Sequence, residues 1–272
     1  MMSPVQDDQR EHFRDVLRSI HLIMVESFKL RQVKVTPLGS EGSRLSIPIK
    51  IEGVDRTGSP ARYFAKILGG SDIMTEKTIQ FFKNVYLQME GRSPLFNFNR
   101  SAKDLALHQF EIMSQVYRLG IPTAKPLGTF ALPGGMWLFV AEFLEAASSA
   151  TKKVSEAQLD KAFEHLRLMH KNGIYHGDIK PENFLFADQV YIMDVGNFLK
   201  DAPEKEKLSY DLACALASFL DLASPEKLVK LARGYYGVRD LKRAAGYLEL
   251  IDRRPDFKMA PEKMKRLMEL LS

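Results

Sequence analysis

The chain of 272 residues is long enough for one large domain or for two lobes sharing a core, and its 45% hydrophobic and 27% charged content is ordinary for a soluble globular protein. A net charge of +5, from 39 basic and 34 acidic residues with the signs interspersed, permits an anionic substrate without indicating a nucleic-acid partner. The one cysteine, Cys214 in DLACALASF, excludes an internal disulfide and reads as a small buried hydrophobe in a reducing compartment.

No apolar run approaches the roughly 18–20 residues of a membrane span. The start MMSPVQDDQREHFRD carries acids and lacks the apolar stretch of a secretory signal, so the cytoplasm is the expected compartment. Residues 7–29 then place Phe13, Val16, Leu17, Ile20, Ile23 and Met24 near helical spacing, which predicts an amphipathic helix packed on the rest of the chain. VKVTPL, RLSIPIKIEG and RYFAKIL follow as strands, the last two parted by the turn DRTGSP; three strands in succession make an antiparallel meander. LGSEGSR lies between the first two.

A helix over 75–90 and the irregular GRSPLFNFNR read together as an insertion at about 71–100. The next helix is expected to run from Asp104, as its cap, to Leu119, with Gly120 and Pro122 ending it. GTFALPGGMWLFVAEFL predicts a hairpin turning at LPGG. Beyond it the pattern turns helical. SEAQ at 155–158 fits a capping box, Leu159, Phe163, Leu166 and Met169 share one face, and Gly173 is the stop. After the loop, strand, turn and strand of 175–197, everything beyond Ser209 reads as helix, broken near Pro225, Gly237 and Pro255, and MKRLMELL reads as a packed terminal helix. The expected class is α+β. A helical extension over 1–32 precedes a small antiparallel-sheet lobe over 33–142, and a helical lobe occupies 143–272.

The stretch YHGDIKPENFLFADQVYIMDVGN, residues 175–197, carries the chemistry. It sets Asp178, Lys180, Asn183 and Asp194 around the apolar segments FLF and VYIM, where charge is costly unless a cation or a reacting group holds it. HGDIKPENFLF resembles the catalytic loop of the protein-kinase superfamily, and DVG at 194–196 resembles its metal-binding triplet. The resemblance covers roughly residues 33–223 and implies a two-lobed kinase-like fold using ATP and Mg2+. It makes Asp178 the residue that orients the attacking hydroxyl and accepts its proton, with Lys180 beside the transferring phosphate. Asn183 and Asp194 become the magnesium ligands.

The same resemblance assigns nucleotide contacts upstream. Lys66 in AKIL matches the strand lysine that meets ATP phosphates, and Glu111 is its chosen carboxylate partner, with Glu76 and Glu90 as rivals. LGSEGSR stands where the phosphate loop belongs without the GxGxxG pattern. Gly39 and Gly42 would allow close backbone approach and Ser40 and Ser43 would donate to phosphate, while an ordinary hairpin turn is the competing reading. AEFLEA resembles the hinge, which brings backbone around Glu142, Leu144 and Glu145 to adenine.

The departures narrow the branch. Gly177 stands where ordinary protein kinases carry the Arg that pairs with a phosphorylated activation loop. Asp211 follows Asp194 by only seventeen positions, with no APE motif between them. These features are similar to atypical kinases: Rio-type enzymes, the kinase of the archaeal and eukaryotic tRNA-modification complex, lipopolysaccharide kinases and aminoglycoside phosphotransferases. Lys180 and PEN lean toward protein substrates. Asp211 either braces the catalytic loop, as in that superfamily, or caps a helix. His176 is expected to brace the loop by backbone hydrogen bonds, and His108 and His170 to be packing or surface residues. The leading expectation is a kinase phosphorylating Ser or Thr on protein. The alternatives are a kinase acting on a sugar, antibiotic or lipid-core hydroxyl, and a nucleotide-binding scaffold with little turnover.

Overall fold

The computed structural model describes residues 4–38, 46–69, 84–85, 87–89, 91–96, 101–145, 153–195, 198–254 and 260–271. The chain forms two compact units. One comprises Met1–Ile79, Phe98–Glu111 and Ala124–Leu144; the other comprises Gln80–Asn97, Ile112–Thr123 and Glu145–Ser272.

The first unit contains α1 (Pro4–Glu26) and an antiparallel sheet of β1 (Arg31–Pro37), β2 (Ile47–Val54), β3 (Pro60–Leu68), β4 (Pro126–Ala131) and β5 (Trp137–Glu142), in the order β1-β2-β3-β5-β4. The meander and the later hairpin therefore form as the alternating pattern predicts. The turn between β2 and β3 closes because Asp55 Oδ1 accepts from the Thr57 and Ser59 amides at 2.8 and 2.9 Å, with Gly58 at φ 88°. α1 buries Val16, Ile20 and Met24 together with Ile49, Ile51, Ala65, Leu138 and Val140. Phe13, expected on that face, is 54% exposed: the buried row runs through positions 16, 20 and 24, and Phe13 lies a turn beyond its end. A smaller cluster joins Leu68, Ala106, Ala124, Phe139 and Ala141, with Leu144 against it.

α2 (Ala102–Arg118) begins earlier than expected. Ser101 is its cap: the Asp104 amide donates to Ser101 Oγ at 3.1 Å, and Asp104 Oδ2 accepts from the Ser101 amide at 3.2 Å. Asp104 thus holds the return position of a capping box, three residues into the motif, in place of the cap itself.

Among the described residues, the second unit is mainly helical and carries the hairpin β6 (Phe184–Phe186) and β7 (Val190–Ile192). It comprises α3 (Glu156–Lys171), α4 (Glu204–Ser218), α5 (Pro225–Arg233), α6 (Val238–Asp252) and α7 (Pro261–Leu271). SEAQ forms the predicted capping box, Ser155 with Gln158, and Leu159, Phe163, Leu166 and Met169 are buried on one face of α3. α4 starts before Ser209, its first turn carrying Glu204 and Glu206 at the helix's positive end. The described part of 84–96 is built into this unit's core, with Leu87, Leu95 and Phe96 fully buried. Asn84 holds it there: its Nδ2 donates to Phe96 O at 2.6 Å, and its Oδ1 accepts from the Leu95 and Phe96 amides at 3.0 and 2.9 Å. Phe96 bridges to Phe198, just beyond Asp194 in the chain, with ring centroids 5.4 Å apart. The architecture is α+β, a small antiparallel sheet followed by a helical region.

Candidate functional site

The β6–β7 hairpin arranges the site. Phe184 pairs with Ile192, Leu185 with Tyr191 and Phe186 with Val190, and the Met193 amide donates to Asn183 O at 2.9 Å. Asn183 and Asp194 therefore flank the same end of two short strands, as the spacing predicts. The hairpin is itself anchored, since the Ile192 amide donates to Pro122 O at 2.9 Å and its carbonyl accepts from Thr123 Oγ1 at 2.6 Å. Asp194 sits at φ 60°, a left-handed conformation that aspartate tolerates better than most residues.

The loop before the hairpin folds back on itself. Pro181–Asn183 make a 3-10 turn, and the buried Asn183 side chain donates through Nδ2 to Asp178 O at 2.8 Å. That bond leaves the amide oxygen of Asn183 as its remaining acceptor. Asp178 Oδ2 lies 3.1 Å from Lys180 Nζ, and Oδ1 lies 3.1 Å from Arg254 Nη2. The structure thus brings Asp178, Lys180 and Asn183 together and adds a cation that no local motif announces.

Beneath the loop, Asp211 is buried inside α4, so it is not a helix cap. Its carboxylate accepts from the His176 amide at 2.6 Å and the Gly177 amide at 2.8 Å. Gly177 adopts φ 76°, which a side chain would strain, and this turn lets consecutive amides converge on one carboxylate. Asp211 also meets His170 Nε2 at 3.2 Å, and His170 Nδ1 lies 2.9 Å from the Tyr236 hydroxyl. His170 is therefore part of a buried polar chain and no mere packing residue. Burial, with Asp211 adding to it, pushes the Tyr236 hydroxyl far above its usual pKa. His176 braces the loop through its amide as expected, while its fully buried ring stacks on Phe184 with centroids 6.0 Å apart. Desolvation lowers that imidazole's pKa, opposed by Asp211, Asp178 and Asp194. Cys214 is buried as expected, and lies 3.8 Å from Arg254 Nη1.

Lys66, Glu111, Glu142 and Leu144 belong to the sheet unit. Lys66 is half-buried in β3, between Pro48 of β2 and Phe139 of β5. Glu111 is exposed on α2. Glu142 ends β5 on the surface, 3.9 Å from Lys125 Nζ, and Leu144 packs beside Leu68 and Phe139. Gly39, Ser40, Gly42 and Ser43, with Glu76 and Glu90, lie outside the described residues.

Among the described residues no group of three or more His, Cys, Asp or Glu side chains forms a metal cluster. The donors at the hairpin end are an amide oxygen and a carboxylate, from Asn183 and Asp194. This hard-oxygen pair fits magnesium, which keeps several waters and takes phosphate oxygens to complete its shell. Among the described residues no helix is long and apolar enough to cross a membrane.

Over 72 residues, 24% of the chain, the sequence is 40% identical to the striated muscle preferentially expressed protein kinase of Danio rerio. The chain spans 2% of that protein's length, so the likeness is to part of a kinase. No protein-family model matches the chain.

Proposed function

We propose that this chain is an ATP- and magnesium-dependent phosphotransferase that moves the γ-phosphate to a serine or threonine hydroxyl on protein. The observation that carries the reading is the convergence of Asp178, Lys180 and Asn183 in one braced loop, with Asp194 at the same end of the β6–β7 hairpin. In this reading Asp178 orients the acceptor hydroxyl and takes its proton as the new O–P bond forms, while the bond from the γ-phosphorus to the bridging oxygen breaks and ADP leaves with that oxygen. Lys180 stabilises charge on the transferring phosphoryl group. Asn183 and Asp194 hold magnesium, which supplies neutralisation of the phosphate oxygens. Lys66 meets the nucleotide phosphates, Glu111 is assigned as its partner, and the backbone around Glu142 and Leu144 faces adenine. Gly39, Ser40, Gly42 and Ser43 complete the phosphate contacts.

The test is phosphate transfer from radiolabelled magnesium-ATP to casein. Asp178→Ala and Asp194→Ala should each lose about 100-fold or more; a fully active variant of either removes the assignment. A second reading, transfer to a small-molecule hydroxyl, is favoured by Phe198. It lies four positions past Asp194 and bridges to Phe96, in the part of the chain where ordinary protein kinases build a peptide platform. Label confined to sugars, aminoglycosides or lipid-core glycans in a parallel screen would select it.

A further inference from the structure

Two cations meet the Asp178 carboxylate, and they are held differently. Lys180, from the same loop, is 24% exposed, whereas the Arg254 side chain, from the chain just past α6, is 6% exposed. A guanidinium so buried is costly unless hydrogen-bonded partners fix it. Those partners are present at both terminal nitrogens. Nη2 donates to Asp178 Oδ1 at 3.1 Å, and Nη1 donates to the Tyr210 hydroxyl at 2.8 Å and to Cys214 Sγ at 3.8 Å, while the backbone at this position is held separately by the Arg254 amide donating to Ile251 O at 3.0 Å. Tyr210 is itself immobilised, fully buried with its ring centroid 5.1 Å from Phe96 and 5.9 Å from Tyr247.

Tyr210 and Asp211 are neighbours on α4 and act on the loop at two levels. Asp211 fixes the backbone of His176 and Gly177, and Tyr210 fixes the guanidinium that meets the next side chain, Asp178. The residue before Asp178 is a glycine at φ 76° and has no side chain to help. The arginine comes instead from 76 positions downstream. Lys180, more exposed, meets the other carboxylate oxygen.

We propose that Arg254 is the positioning residue of this site: anchored by Tyr210, it sets the orientation of the Asp178 carboxylate toward the acceptor hydroxyl. The inference rests on the phosphotransferase reading above. Arg254 acts through Asp178 and touches neither nucleotide nor acceptor.

The experiment is a double-mutant cycle of Arg254→Met, Asp178→Asn and the pair, read as kcat and KM for magnesium-ATP with casein and, in parallel, as thermal unfolding. Arg254→Met should lower kcat about 10- to 100-fold with the KM for ATP within about twofold, the cost of a misplaced catalytic group. Arg254→Lys should recover part of that loss. In the Asp178→Asn background Arg254→Met should lower kcat no further. An equal fold-loss in both backgrounds marks a purely structural residue and overturns the proposal. A rise in kcat on removing Arg254 also overturns it, because the pair would then be an inhibitory latch. If Arg254→Met does not fold, Tyr210→Phe, which removes only the anchoring oxygen, should lower kcat several-fold, and an unchanged kcat is the overturning result. Wild type turning over no faster than Asp178→Asn would instead remove the phosphotransferase reading, and the orienting role with it. In that case coupling of positions 254 and 178 in the unfolding cycle would still show the pair as a stabilising contact.

Discussion

Removing the Asp211 carboxylate strips three donors of one acceptor: the His176 amide at 2.6 Å, the Gly177 amide at 2.8 Å and His170 Nε2 at 3.2 Å. His176 and Asp211 are 0% exposed and Gly177 is buried, so water does not replace the lost oxygens. A buried donor without a partner costs about 1–3 kcal/mol, so the two amides alone put Asp211→Ala at roughly 2–6 kcal/mol. The emptied volume adds to that figure. Total stability of a protein of this kind is about 5–15 kcal/mol, and each kcal/mol moves the melting temperature by about 2–4 °C at this size. Asp211→Asn keeps the shape and one oxygen but turns a donor toward an amide, and should lose about half as much. Urea unfolding followed by circular dichroism measures both. Two variants within about 0.5 kcal/mol of wild type, or Asn costlier than Ala, would refute the brace.

Asn84→Ala breaks three buried hydrogen bonds, to Phe96 O and the Leu95 and Phe96 amides, and should cost about 2–4 kcal/mol in the same assay, with new protease cleavage near 91–96. His176 predicts a pH response. Burial holds its folded pKa below the ordinary 6.5, so the unfolded chain binds the proton first. The stability it contributes is present above pH 6.5 and drains as pH falls below it, by up to about 1.4 kcal/mol per unit; His165 shifts the same way. Melting curves from pH 7 to 5 should fall for wild type and fall less steeply in His176→Phe, where His165 still contributes, and parallel curves would contradict it.

Local chemistry was legible in the residues, and distant partnership was not. Strand alternation in RYFAKIL, the Ser155–Gln158 box and the FLFADQVYIM hairpin each depend on neighbours within a few positions, and each forms. The Asp178–Asn183 spacing likewise folds into one loop because a five-residue separation closes on itself through Pro181. Arg254 and Tyr236 gave no signal: an arginine at a helix end and a tyrosine in YYG look like surface and packing until the chain returns them to Asp178 and His170. Asn84 was hidden for the same reason, since its acceptors and donors lie in an irregular stretch without period. At Ser101 the signal was local but shared, because serine and aspartate both cap, and the helix used the first. Phe13 shows that an apolar stripe reports one face of a helix but not how far along it the partner sheet reaches.

The helical unit is sewn together from three separated pieces of chain, and this affects how it must be made and cut. Leu87, Leu95 and Phe96 come from the first piece, Met113, Val116 and Ile121 from the second, and the aromatic rings that receive Phe96, those of Phe198 and Tyr210, from the third. During synthesis the early pieces leave the ribosome long before their partners exist, so this core closes late, after the sheet strands have already emerged. A fragment excised at the change of composition near residue 145 would look complete by its helices. It would nonetheless carry an open apolar socket where the first two pieces belong, and should aggregate on expression unless those pieces are supplied with it.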